Sequence, residues 1–209
     1  LPHWWAKGRY LSDEVELMIG LFSKHWTTNF DGGEIPPWLT ISSGAVNSAA
    51  TGPWGGLTLT RPETTGSKLV FGSAIASSKE TGIELDCIVN GFTTGKGTFI
   101  AGFFSDTDGW FLRTSGDICY LVFRKGGVET TKNVYLQFTG WSKMYPLKLE
   151  WDIRNKRLNV FRGEGAAYLS LDHLDVGNAI GTRPTVGWLT SSVGEQNTVA
   201  SLSITRHFM

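Results

Sequence analysis

Glu84 and Asp86 are the first pair of residues whose types and spacing suggest chemistry. In Ile83-Glu84-Leu85-Asp86-Cys87-Ile88-Val89 the apolar side chains fall mainly on odd positions, so both acids share the opposite face of a strand. Glycoside hydrolysis needs two carboxyl groups flanking the scissile bond, one as acid and the other as nucleophile or base. Glu150 and Asp152 repeat the pattern in Leu147-Lys148-Leu149-Glu150-Trp151-Asp152-Ile153 and could supply a partner. The plainer reading of all four acids is a solvated sheet face. A second group is Ser105-Asp106-Thr107-Asp108-Gly109, where Asp106 and Asp108 offer hard oxygen ligands at alternate positions, as calcium prefers. The same residues also make an ordinary hairpin turn, because Asp favours Asx turns and Gly accepts positive φ. A third group is aromatic. Trp54, Trp110 and Trp141 each stand beside a turn signal, where an indole face could stack on a sugar while Asp106 and Asp108 hold its hydroxyls. Trp38, Trp151 and Trp188 lie within strands and read as core.

Other chemistries find little support. His3, His25, His173 and His207 with Cys87 and Cys119 give no zinc spacing. The cysteines read as buried small hydrophobes or as one inter-strand disulfide. Gly95-Lys96 lacks the rest of a phosphate loop. No Ser or Cys nucleophile arrangement stands out, and no Gln–apolar–His strand suggests a polysaccharide lyase. Nineteen basic residues balance nineteen acidic ones, so no positive excess attracts nucleic acid. No apolar run approaches the roughly 18 residues of a membrane span, and no leader pattern is present. Calcium is the one cofactor that the residues suggest.

The elements that must position these groups are mostly strands. Charged residues make up only 18%, while 26 Gly and twelve Phe favour strands joined by tight turns. Period-two alternation recurs from Trp38 to Arg206, with punctuation at Thr51-Gly52-Pro53, Gly126-Gly127 and Gly163-Glu164-Gly165. Expected strands include 57–61, 82–92, 98–104, 110–114, 118–124, 134–138, 147–153, 158–162 and 198–206. One amphipathic helix is expected before them. Ser12 caps it, and Val15, Met18, Ile19, Phe22 and Trp26 recur at spacings of three and four. The chain therefore reads as an N-terminal aromatic arm and helix over 1–28, then a sandwich over 29–209. The fold class is all-β, a two-sheet antiparallel jelly-roll sandwich with a short N-terminal helix.

Leu147-Lys148-Leu149-Glu150-Trp151-Asp152, the loop Arg154-Asn155-Lys156-Arg157, and Leu158-Asn159-Val160-Phe161-Arg162-Gly163 form a distinctive block. It resembles a recurrent hairpin of the concanavalin A-like and laminin-G-like sandwich superfamily. Gly82 to Val89 is similar to the long strand through the middle of such sheets. The resemblance covers about 38 to 209 and implies the fold rather than an activity, since lectins, glycan-cleaving enzymes, adhesion modules and viral subunits share it. One group of its enzymes carries Glu-apolar-Asp-apolar-(apolar)-Glu on one strand. Here Glu84 and Asp86 match the first half, and Val89 stands where the second catalytic Glu would be.

The expected function is a non-enzymatic module for glycan recognition or structural assembly, placed outside the cell, on a cell surface or on a virus particle. Its partners would be a glycan or further copies of itself, with Trp4, Trp5, Phe22 and Trp26 as interface residues. The alternative is a glycoside hydrolase that uses Glu84 and Asp86.

Overall fold

The computed structural model describes residues 23–42, 46–49, 55–60, 67–75, 79–89, 98–115, 118–134, 144–162, 167–172, 175–189 and 196–209. Trp4, Trp5, Phe22, Trp54 and Trp141 lie outside these residues, as does the expected helix before Ser23.

Two antiparallel sheets form the expected sandwich. The eight-stranded sheet runs in the order β13 (Leu169–Leu171), β12 (Arg157–Arg162), β11 (Tyr145–Asp152), β6 (Glu80–Val89), β15 (Gln196–Phe208), β4 (Leu57–Thr60) and β3 (Val46–Ala49). Strand β1 (Ser23–Thr28) pairs with the far half of β15. The seven-stranded sheet runs β10 (Val128–Val134), β9 (Ile118–Lys125), β8 (Gly109–Ser115), β7 (Phe99–Phe104), β14 (Arg183–Trp188), β5 (Ser67–Phe71) and β2 (Leu39–Ser42).

Alternation decides what lies between the sheets. Leu85, Cys87 and Val89 of β6, Leu147, Leu149 and Trp151 of β11, and Leu202 and Ile204 of β15 all face inward. They meet Phe103, Trp110, Leu121, Val186 and Trp188 from the other sheet in one continuous core. Each such side chain contributes about 1.5–3 kcal/mol of burial. Phe103 and Trp110 pack edge-on at 5.4 Å, and Phe99 and Trp188 at 5.6 Å. A one-residue slip of β6 would put Glu84 and Asp86 into this core, so the register is firmly specified. At one end the core is closed by ions. Arg206, next on the inward face of β15, donates from Nε to Glu80 Oε2 at 2.9 Å and from Nη2 to Glu80 Oε1 and, at 3.1 Å, to the Ala74 carbonyl.

Two expectations are corrected. Ser23–Thr28 is a strand, not the end of a helix, with Ser23 opposite His207 and Thr28 opposite Leu202. The helical spacing ending at Trp26 gives way because this segment also alternates: Trp26 and Thr28 face inward, while His25 and Thr27 face outward, and a six-residue ladder satisfies its backbone. Trp26 is half-buried and lies edge-on against Phe71 at 4.9 Å, on its own sandwich. Strand β10, Val128–Val134, was not expected, and of the strand expected over 134–138 only Val134 lies within the described residues. Finally, Cys87 and Cys119 are free and buried in different sheets, so the disulfide reading yields to the buried one. Burial pushes both thiol pKa values up, that of Cys119 to about 12.

Candidate functional site

The outward face of the eight-stranded sheet gathers the acids singled out in the sequence. Register sets the neighbours: Glu84 lies between Glu150 of β11 and Thr205 of β15, and Asp86 between Lys148 and Ser203. Lys148 Nζ is 3.0 Å from Glu84 Oε2 and 2.8 Å from Glu150 Oε1. Asn159 Nδ2 donates to Glu150 Oε2 at 3.0 Å. His207 Nε2 lies 2.7 Å from Glu84 Oε1, and its Nδ1 lies 3.0 Å from Ser23 Oγ. A carboxylate only accepts, so Nε2 carries the proton and, in the neutral ring, Nδ1 accepts from the Ser23 hydroxyl. This hydroxyl–imidazole–carboxylate line has the order of a nucleophile relay. Ser23 lines neither of the two hollows on this face, however, and the line serves to hold Glu84.

The electrostatics separate the two acids. Burial raises the Glu84 pKa, but hydrogen bonds from Lys148 and His207 outweigh it, and Glu84 ends below the ordinary value. Burial also works against the Lys148 ammonium, yet the hydrogen bonds to Glu150 and Glu84 raise its pKa overall. Asp86 moves the other way. Burial pushes its pKa up, Lys148 opposes this, and like charge from Glu84 and Glu150 adds to it. Among the described residues Asp86 makes no hydrogen bond or ion pair.

Asp86 opens into a groove of about 510 Å³. Phe161, Ile88 and Pro146 give it apolar surface, and Lys148, Ser201, Ser203 and Thr27 give it polar groups. Lys148 Nζ stands 5.5 Å from the Phe161 ring centre, a cation–π contact that orients the ring. A second hollow of about 430 Å³ lies on the other side of Glu84, beside Asp152, Asn155 and His207. Both oxygens of Glu84 and both of Glu150 already accept hydrogen bonds or ion pairs, and Val89, at the position of the second catalytic Glu, is fully buried. Asp152 accepts from the Asn155 N–H and side-chain amide at 2.9 and 2.7 Å, so among the described acids of this face Asp86 alone has no hydrogen-bond partner.

The other expected site residues fall elsewhere. Trp110 is 0% exposed inside the core, so it presents no face to a sugar. Its turn-adjacent position misled because Gly109, not Trp110, opens β8. Asp108 ties the loop together. Its Oδ2 accepts the Thr107 hydroxyl at 2.7 Å and its Oδ1 the Gly126 N–H at 3.3 Å, which holds its pKa low. Gly177, at φ 72°, passes so close that a Cβ there would lie 1.7 Å from Asp108 Oδ1. Asp108 is thereby committed to the backbone, and Asp106 is exposed beside it. Among the described residues no three His, Cys, Asp or Glu side chains gather as a metal site. Phe161, Ser201, Ser203 and Thr27 were not singled out in the sequence. Alternation on β12, β15 and β1 places them on the outward face, and that is the signal that would have found them.

No family model matches the chain, and no curated protein sequence matches it. Solved structures do. A protein of unknown function from Shewanella oneidensis MR-1 superposes with a TM-score of 0.61 at 12% identity, over 94% of each chain. The binding domain of botulinum neurotoxin serotype G gives 0.61 at 10% identity, over 88% of this chain and 47% of that one, so this chain spans about half of that structure. The metal-free carbohydrate recognition domain of Emp46p gives 0.56 at 11% identity, over 80% of this chain and 87% of that one. The fold these structures share with this chain is an antiparallel two-sheet β-sandwich. At these identities the likeness is one of backbone architecture. Within this sandwich the Asp86 groove crosses β11, β6 and β15, in the middle of one sheet.

Proposed function

We propose that this chain is a glycan-recognition module and that the Asp86 groove holds the sugar. The observation that carries the reading is the groove itself. One unbridged carboxylate, three hydroxyls and an aromatic ring converge there, the mixture that fixes a molecule with apolar faces and many hydroxyls. In this reading Asp86 accepts sugar hydroxyls, Phe161 lies under an apolar ring face, and Ser201, Ser203 and Thr27 complete the polar contacts. The carbohydrate recognition domain among the structural relatives supports the class of ligand. Such a module works where glycans are displayed, outside the cell or on the surface of a particle.

A glycan array probed with the wild type, Asp86→Ala and Phe161→Ala tests the reading. The wild type is expected to retain at least one glycan. Asp86→Ala should weaken retention at least about ten-fold, since a hydrogen bond to a charged group contributes about 1.5–3 kcal/mol. Retention unchanged in both variants, or no retention by the wild type, would overturn it. Release of reducing sugar that Glu84→Gln abolishes would establish the hydrolase instead.

A further inference from the structure

A different part of the molecule carries a second binding site. Beside the Arg206–Glu80 pair that closes one end of the sandwich lies a cavity of about 420 Å³, lined by residues of β6 and β11 and of the loops next to them. That size falls within the roughly 300–1,000 Å³ of small-ligand pockets. Ile75, Trp151, Ile153 and Val176 wall it. The rim is also apolar. Of the four exposed large hydrophobic residues among those described, Ile180 and Met209 both stand at this mouth.

The charges at the cavity are asymmetric. Of its two acids, Glu80 is held by Arg206, and the exposed Asp175 is bridged to Lys125 and also feels the charge of Lys156. Its two bases, Arg154 and Lys156, make no ion pair among the described residues. Both come from the β11–β12 hairpin loop, whose position is fixed by the Ile153 and Arg154 N–H groups donating to the Thr81 carbonyl at 2.9 and 3.2 Å. Lys156 is also held at φ 53°, a left-handed conformation that Gly or Asn would adopt more readily. The turn therefore carries local strain while presenting a cation at the lip of an apolar cavity.

We infer that this cavity binds a small amphiphile, a medium-length aliphatic carboxylate, with its chain between Trp151, Ile75 and Val176 and its head group at Arg154 and Lys156. The chain is sheltered by the apolar walls, and the planar guanidinium pairs with the carboxylate through two parallel hydrogen bonds. The site is separate from the Asp86 groove and stands or falls independently of it.

Isothermal titration of the full chain with sodium decanoate, decan-1-ol and butyrate tests the inference. Decanoate is expected to saturate at one molecule per chain. Decanol should bind at least about ten-fold more weakly for want of the charged head. Butyrate should be weaker than decanoate by about four-fold for each methylene lost. Lys156→Gly should weaken decanoate while raising the melting temperature, because it relieves the turn, so lost affinity cannot be blamed on misfolding. Arg154→Glu combined with Lys156→Gly should erase the difference between decanoate and decanol. Phe161→Ala should leave decanoate binding as it is. Equal affinities for acid and alcohol, an affinity indifferent to the charge variants, or no saturable heat below the micelle-forming concentration would each overturn the site.

Discussion

Replacing Glu80 with Gln tests how the end of the sandwich is closed. The side chains of Glu80 and Arg206 are 2% and 7% exposed, and the guanidinium is satisfied by that carboxylate and the Ala74 carbonyl. Removing the carboxylate charge leaves a guanidinium buried without its counter-ion, which costs about 3–5 kcal/mol. For domains of this size each kcal/mol moves the melting temperature by about 2–4 °C, so the fall should be roughly 6–20 °C. Urea unfolding followed by tryptophan fluorescence would read the same loss as a lower midpoint at unchanged slope. The double variant Glu80→Leu with Arg206→Met should recover most of it, because well-packed apolar residues replace a buried ion pair at little cost. A loss under about 1 kcal/mol for Glu80→Gln is what an exposed pair gives, and it would show that water reaches the pair in solution. Failure of the double variant to recover would show that the Ala74 contact, not the charge balance, holds this end.

Three further outcomes follow from the pKa shifts. A raised folded pKa means that the fold favours protonated Asp86. Its stabilising contribution is full below the unfolded value near 3.8 and is lost as pH rises through the higher folded value. Asp86→Asn should therefore be more stable than the wild type at neutral pH, with the gap closing in acid. Glu84 is shifted down, so its contribution is present above its unfolded value near 4.5 and is lost as pH falls through the folded one. Glu84→Gln should be less stable at neutral pH, and thermal melts across pH 3–8 check both signs. Cys87 and Cys119, buried with raised thiol pKa values, should resist iodoacetamide in the native protein and react on unfolding. Fast native labelling of either one would contradict its placement.

The sandwich was legible because period-two alternation is strong in its central strands. Leu85 and Cys87, Leu147 and Leu149, and Leu202 and Ile204 each mark an inward face, and the same count puts Glu84 and Asp86 outside. Strand β10 was missed because its first five residues are all exposed, so no alternation betrays them. Strand β1 was misread because Phe22 and Trp26 also fit a helical spacing, and only the distant ladder to β15 settles the choice. The site was half legible. Alternation predicted that the acids share a face. It could not show that Lys148 and His207 take up Glu84 while Asp86 is left available, since that depends on which strands become neighbours. Tryptophans beside turns were a poor guide, because Trp110 turns inward one residue past its glycine.

The place of β15 has a consequence for how the chain reaches its native state. The last strand described lies between β6 on one side and β4 and β1 on the other, so its absence would leave three earlier strands with open edges. During synthesis those edges must wait, unpaired, until almost the whole of residues 23–209 has left the ribosome. Sequence-distant pairing of this kind makes folding slow, and open strand edges invite pairing with other chains. A message truncated before Gln196 would therefore yield sticky half-sheets rather than a shortened sandwich, and holding nascent chains apart would matter more here than in a fold assembled from successive hairpins.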